Sequence, residues 1–341
     1  MSFINERCAI IRRSDKDMFY MYLGNDGLYY NYYDADGCIV HRGKLINDMD
    51  LDFTKYSFSL DKNDNIYCIY CNNSLQILEC KNNSFIFTQA EYITYNYKKF
   101  GVAFPYVKYI ENNPHIFYYV FNNNSNNTCA LFHHYKHDDY WIENKIDFIN
   151  TIMLDNFTVL WNEVAPTIFY LNLVNGCEEI FSSRFNLGTF TWSEPVQITN
   201  TGHNKLYLNV IRDSINFYHF CFCEYENNGY LVKYINGYLN EKKFNLKTLA
   251  YLSEPSTCIY PSLVKVGSKL YVSWVNFNKL FTSSSTSCGT SWSKPIIDEF
   301  SKDDKFIRST FFSNYKDDLK YNISHIFSTL DDVGILGIWN E

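Results

Sequence analysis

Three absences bound what this chain can be. It has no block of basic residues: 30 Lys and Arg stand against 37 Asp and Glu, a formal charge of −7. A nucleic-acid surface needs a Lys/Arg face to neutralise phosphates, so nucleic acid is not an expected partner. No apolar run approaches the ~20 residues of a membrane-crossing helix, and none is expected to span a bilayer. The opening MSFINERCAIIRRSD has no uninterrupted apolar stretch, so no secretory signal is expected. The expected location is the cytoplasm, or a spore or cell-surface layer assembled from inside. The 3.6-residue helical period is the third absence, and it points away from helix-built folds.

Alanine, arginine and proline are scarce, whereas Asn, Lys, Ile, Phe and Tyr are abundant. An AT-rich coding genome produces that balance, so part of it reflects codon usage. Nothing matches a P-loop, a dinucleotide fingerprint or a serine nucleophile elbow. No cofactor and no metal are expected. The eleven cysteines are scattered and lie mostly in apolar runs such as IYCIYC and YHFCFCEY, where thiols behave as small buried hydrophobes. Cys68 and Cys71 face opposite sides of a strand and make no zinc or redox pair.

What the chain does have is a recurring pattern. An aromatic residue opens a short extended run at Trp141, Trp192, Phe244 and Trp292, at intervals of 51, 52 and 48 residues. Periods of that size mark solenoids and propellers, in which one unit cannot bury its own apolar face. The runs between these markers are short, extended and bounded by Asn, Asp and Gly, as in Asn25-Asp26-Gly27 and Asp36-Gly37. They group in fours: 8–46, 55–94, 104–149, 156–199, 206–252 and 260–299 each hold four runs. A seventh set, 307–340, holds three, and the segment Ser2–Arg7 is left over at the other end. The expected fold is all-β: a seven-bladed β-propeller of four-stranded antiparallel blades, with the N-terminal strand completing the last blade and closing the ring. Six blades is the alternative. No linker divides the chain, so residues 1–341 are expected to form a single domain.

The stretch Ser285-Thr286-Ser287-Cys288-Gly289-Thr290-Ser291-Trp292 resembles the Asp-box, the bacterial-neuraminidase repeat of sialidase-like propellers. Ser285, Gly289 and Trp292 match, while Ser287 and Ser291 replace the Asp and Thr. A longer copy runs from Ser183 through Asn186 and Gly188 to Trp192. The resemblance covers about thirty residues and implies propeller architecture. It also implies where to look for chemistry, since sialidases bind a carboxylate with three arginines beside a Tyr–Glu pair and an Asp acid. That family's Phe-Arg-Ile-Pro opening is absent.

Of seven arginines, Arg12, Arg13, Arg212 and Arg308 fall on or at the end of first strands of their sets. In a propeller the first strands line the central channel, so these four are the candidate anion-binding residues; pairing with neighbouring Asp15 and Asp213 is the structural counter-reading. His133, His134 and His137 with Asp138 and Asp139 could form a metal shell, but a solvated hairpin is the expectation. Glu111, Asp155, Glu163 and Asp213 near strand ends are the carboxylates from which an opposed glycosidase pair would come.

The functional expectation is a non-enzymatic propeller whose faces and inter-blade grooves recognise a protein or glycan partner. The abundance of Tyr and Cys also fits a component of a bacterial surface or spore-coat layer. The alternative is a divergent sialidase-like glycoside hydrolase or a lyase with its site in the central channel.

Overall fold

The computed structural model describes residues 3–137, 140–329 and 335–338. These residues form two compact units. The N-proximal unit comprises Glu6–Asn150 and Thr310–Leu319, and the C-proximal unit Met1–Asn5, Thr151–Ser309 and Lys320–Glu341.

In the N-proximal unit, β1 (Phe3–Arg12, entering from the other unit), β2 (Met18–Gly24), β3 (Gly27–Tyr33) and β4 (Ile39–Asn47) pair in sequence order. The second sheet is β5 (Tyr56–Leu60), β6 (Ile66–Cys71), β7 (Ser74–Cys80) and β8 (Thr88–Thr94). The third is β9 (Phe100–Ile110), β10 (Asn113–Asn122), β11 (Ser125–His137) and β12 (Tyr140–Asn150).

In the C-proximal unit the fourth sheet is β13 (Thr158–Asn162), β14 (Ala165–Val174), β15 (Cys177–Asn186) and the fragments β16 (Thr191–Trp192) and β17 (Val196–Gln197). The fifth is β18 (Lys205–Ser214), β19 (Phe217–Glu226), β20 (Gly229–Leu239) and β21 (Phe244–Tyr251). The sixth is β22 (Ile259–Val266), β23 (Lys269–Asn276), β24 (Lys279–Ser285) and β25 (Ile296–Ile297). Helix α1 (Phe300–Asp303) then leads to β26 (Phe306–Ser313), β27 (Tyr321–Ile323) and β28 (His325–Thr329).

The four-run sets thus become antiparallel sheets, and the expected all-β fold is what forms. The seventh set does not make a sheet of its own. Strand β26 lies beside β1 and β28 beside β26, extending the first sheet to six strands, whereas β27 pairs with β22 of the sixth. The Ser2–Arg7 segment is no separate strand either: from Phe3 it is the start of β1. Three- to eight-residue strands pair with whatever edge offers free N–H and C=O groups, and sequence carries no label for that edge. Half of the last run, 333–340, lies outside the described residues. Among the described residues there are six sheets, and none closes on itself.

Burial explains why the repeat was visible at all. Four of the second strands are inaccessible along both faces, β10 and β14 each burying six consecutive residues, β19 seven and β23 six, whereas β2 alternates. Strands covered on both sides read as continuous apolar runs, not alternating ones, hence HIFYYVF, TIFYLNL and FYHFCFC. Apolar clusters lie between the sheets of each unit. Ile69, Leu75, Val107 and Ile116 join the second and third; Tyr234, Leu263 and Trp274 join the fifth and sixth. At roughly 1.5–3 kcal/mol for each fully buried large side chain, this packing is the main stabilising term. The fourth strands are largely exposed, as in β8 and β21.

The abundant Asn has a structural use beyond codon bias. Glu111-Asn112, Asn175-Gly176, Asn227-Asn228 and Phe277-Asn278 all have both residues at positive φ, the type I′ hairpin that suits twisted strands. The paired Trp-Ser-x-Pro stretches act as latches. The Ser183 hydroxyl donates to Ser193 O at 2.7 Å and Ser283 to Ser293 O at 2.8 Å; Ser193 and Ser293 in turn accept the N–H of Arg184 and Ser284, each at 3.0 Å. Eight of the eleven cysteines are buried, Cys177 is half-buried and Cys38 and Cys288 are exposed; all are free thiols.

The C-proximal unit also buries charge. Lys205, fully inaccessible, bridges Glu179 at 2.7 Å and Glu224 at 3.2 Å, and Lys233 bridges Glu224 and Glu226. Glu179 further accepts from the Thr199 hydroxyl and the N–H groups of Thr201 and Gly202, so the charges on that loop are satisfied. Removing one partner from such a network leaves an uncompensated buried charge. Lys205→Met is expected to lower the unfolding free energy of this unit by about 3–5 kcal/mol, read as a shift of the urea midpoint by tryptophan fluorescence. A midpoint within error of wild type would show the network to be energetically neutral.

Candidate active site on the third sheet

The third sheet carries polar chemistry on both faces, and the two-residue period of a strand sorts it. Along β10, His115 and Phe117 point one way and Ile116 and Tyr118 the other. Register places His115 opposite Tyr135 of β11 and Lys108 of β9, and Phe117 opposite His133 and Tyr106. Directly opposed residues share a face, so one face presents Lys108, His115, His133 and Tyr135 together.

On that face His115 Nδ1 and His133 Nε2 are 3.0 Å apart. His133 is stacked between Phe117, at 4.4 Å, and Tyr135, at 4.7 Å, while His115 lies parallel to Tyr135. His133 is fully buried and His115 is 9% exposed, so His115 is the imidazole that solvent can reach. Burial pushes the His115 pKa down to about 4. It drives His133 in the same direction, helped by the neighbouring His115. Both rings are therefore neutral near pH 7, one nitrogen of the contact donating its proton and the other offering a lone pair. Burial also lowers the pKa of the Lys108 ammonium. Perturbed groups gathered on one face are a physical mark of acid–base function.

The opposite face borders a groove of about 520 Å³ between the second and third sheets, lined by Leu75, Ile93, Val102, Val120, Phe121 and Phe132 among others. Its polar end is Tyr118, His134 and Glu143. The Tyr118 hydroxyl donates to Glu143 Oε2 at 3.1 Å and meets His134 Nδ1 at 3.2 Å. With its one proton given to Glu143, Tyr118 accepts from His134 Nδ1–H, which leaves Nε2 of His134 as a bare acceptor. Burial lowers the His134 pKa against the opposing pull of Glu143.

The residues singled out in the sequence fall elsewhere. In the N-proximal unit, Arg12 forms an ion pair with Asp318 at 2.9 Å. Arg13 is buried, bridged to Asp17 and donating to the carbonyls of Asp64, Lys81 and Ser84. In the C-proximal unit, Arg308 donates to Ser262 and lies over the Tyr260 ring. The Arg212 guanidinium has no protein partner among the described residues. Neither suggested Asp neighbour is used: Arg13 takes Asp17 in place of Asp15, and Asp213 takes Lys265 and His219. Glu111 and Glu163 sit on hairpin turns at positive φ, and Asp155 accepts the Tyr207 N–H.

His133 does not join the expected solvated hairpin: it is in the interior, while His137 is exposed and Asp138 and Asp139 lie outside the described residues. Its partner, His115, was not singled out. No sequence signal gave it: the hairpin pairs Asn122 with Ser125, and a register shift between Phe121 and Asn122 then sets 115 opposite 135 and 117 opposite 133. Among the described residues, one grouping of metal-capable donors occurs, Asp213, His219 and Cys288 in the C-proximal unit.

No protein-family model matches the chain, and no curated protein matches it in sequence. Solved structures do resemble it. One is a polysaccharide lyase, an ulvan lyase bound to a GlcA(1-4)Rha3S unit, at 11% identity and a TM-score of 0.60, covering 96% of this chain and 90% of that one. Others are a protein from Lactobacillus plantarum, at 7% identity, TM-score 0.52 and coverages of 85% and 83%, and polysaccharide lyase Uly1, at 8%, 0.51, 85% and 80%. Such likenesses establish the fold, a β-propeller type shared with carbohydrate-active proteins.

The neutral histidines fix a pH dependence. His115, with an ordinary value of 6.5 and a folded value of about 4, contributes stability that is fully present above pH 6.5. That stability is lost as pH falls towards 4, because the unfolded chain then binds the extra proton. Between pH 6.5 and 5 the loss is on the order of 2 kcal/mol. Asp17, raised to about 6 by burial, works oppositely, stabilising as pH falls. Comparing wild type with His115→Gln isolates the histidine: urea midpoints at pH 7.5 and 5 should differ less in the variant. Equal pH slopes would show that His115 is not held neutral.

Proposed function

We propose that the chain is a carbohydrate-active propeller that cleaves an acidic polysaccharide by β-elimination at the Lys108–His115–His133–Tyr135 face. The observation that carries this is the pair of buried, neutral imidazoles 3.0 Å apart, in register with a cation and a phenol. β-Elimination from a uronate needs those groups: a cation beside the carboxylate, a base for the C5 proton and a donor for the leaving O4. The His115 lone pair takes the proton, C4=C5 forms as the C4–O4 bond breaks, and the Tyr135 hydroxyl protonates the departing oxygen. His133 fixes the tautomer and plane of His115. Lys108 balances the carboxylate charge as it delocalises. The likeness to two polysaccharide lyases supports the reading at the level of fold.

The finer architecture we infer is a ring in which the antiparallel sheets serve as blades, so that the third sheet meets ligand from the ring's interior. A second reading, a propeller that binds a glycan without cleaving it, is favoured by the groove beside Tyr118, His134 and Glu143, where aromatic walls suit sugar rings and a single carboxylate is too few for hydrolysis.

Ulvan, alginate, pectate and glycosaminoglycans, with neutral arabinan as control, separate the readings through the ultraviolet absorbance of the unsaturated uronate. Turnover on an acidic glycan, reduced at least about hundredfold in His115→Ala and in Tyr135→Phe, is the expected result. Binding without turnover, unchanged in His115→Ala, would overturn the lyase reading and leave the groove.

A further inference from the structure

Asp213, His219 and Cys288 bring three metal-capable donor atoms together. Asp213 ends β18 and His219 begins β19, so the tight hairpin between them fixes their separation. Cys288 comes from the turn that follows β24. His219 Nε2 is 3.2 Å from Asp213 Oδ2, and Cys288 Sγ is 3.7 Å from the same oxygen. All three donor atoms lie within 4.8 Å of one another. Tetrahedral zinc with bonds of about 2.0 Å to N and O and 2.3 Å to S has edges of about 3.3 Å between N and O and 3.5 Å between S and O. The observed spacings are those edges to within a few tenths of an ångström.

The surroundings orient the donors. His219 is fully buried, and its Nδ1 meets the Tyr234 hydroxyl, which Asn236 Nδ2 also reaches at 2.9 Å. A hydrogen-bonded second nitrogen is how metal-ligating histidines are held in plane. Asn236 also donates to the Cys288 carbonyl at 2.9 Å, and Ser285 Oγ accepts the Gly289 N–H at 2.9 Å, which pins the cysteine turn. Gly289 is required there, since its φ is +83° and a Cβ would strike the Tyr234 ring. Lys265 occupies Asp213 Oδ1 and leaves Oδ2 to the other two donors.

We propose that Asp213, His219 and Cys288 form a three-ligand site for zinc or a similar divalent cation, with the fourth position open to water or ligand. Thiolate, imidazole and carboxylate together are a zinc donor set, and three protein ligands leave the metal exchangeable. Binding is balanced by one proton: the cation displaces the Cys288 thiol proton to solvent, while the imidazole proton passes from Nε2 to Nδ1, facing Tyr234. The site lies in the C-proximal unit and does not depend on the chemistry of the third sheet.

Titration of the full chain with Zn(II) against a chromophoric chelator, and with Co(II) by absorption, tests this. One zinc per chain is expected, with a cobalt–thiolate charge-transfer band. Cys288→Ser should abolish the band and weaken zinc binding by at least about tenfold, as should His219→Gln, whereas exposed Cys38→Ser should change neither. Should His219→Gln fail to fold, exposed Cys288→Ser decides alone. A wild-type chain without the band, or a band that survives Cys288→Ser, overturns the site.

Discussion

The second strands β10, β14, β19 and β23 must be covered on both faces, and much of the rest of the structure follows from that requirement. A strand such as β10 or β19 has six or seven consecutive buried residues, so no single sheet satisfies it. It needs cover from neighbouring sheets, as the clusters between the second and third and between the fifth and sixth supply. Outer strands escape the requirement because one side faces solvent, which is why β8 and β21 are largely exposed. The aromatic load belongs to the same constraint. Rings fill the space between twisted sheets with area that aliphatic residues would need more chain to supply, as Trp274 and Phe281 do in the sixth sheet.

That constraint also explains how much of the fold was legible in the sequence. Continuous apolar runs at a period near fifty residues, and Asn- or Gly-bearing turns between them, reflect local chemistry that acts wherever the strand is placed. The sets for the second to sixth sheets are recovered with boundaries close to those observed. Edge choice is different in kind. Whether β27 pairs with β22 or with β28 depends on which backbone groups remain unsatisfied after the rest has folded, and nothing in Tyr321–Ile323 records that. The seventh set was therefore drawn as a unit by its spacing, although its strands enter two separate sheets.

The candidate site was less legible, for a related reason. Arginines draw notice because their chemistry is strong, but a guanidinium with five donors is as useful to a fold as to a ligand. Arg13 shows the first use, holding the carbonyls of Asp64, Lys81 and Ser84 where three loops meet. Histidines in an aromatic run look like filler by comparison. His115 acquires a role only when the hairpin register sets it beside His133, and register is a property of the pair of strands.

Placing both chemistries on one sheet has an electrostatic consequence. Successive residues of β10 and β11 serve opposite faces, so His133 and His134 are neighbours in the chain yet stand in separate environments. His133 contacts another imidazole, His115, which adds to burial in lowering its pKa. His134 instead faces Tyr118 and Glu143, and the carboxylate partly offsets burial. Two groups of the same type are thereby set to different proton affinities by the pleat alone, without a separate loop for either. The side with two neutral rings and a depressed lysine carries groups whose charged forms burial disfavours. The other side, with its proton locked between phenol and carboxylate, offers shape and fixed acceptors. A difference in environment across a single backbone thus gives one sheet two chemically distinct faces.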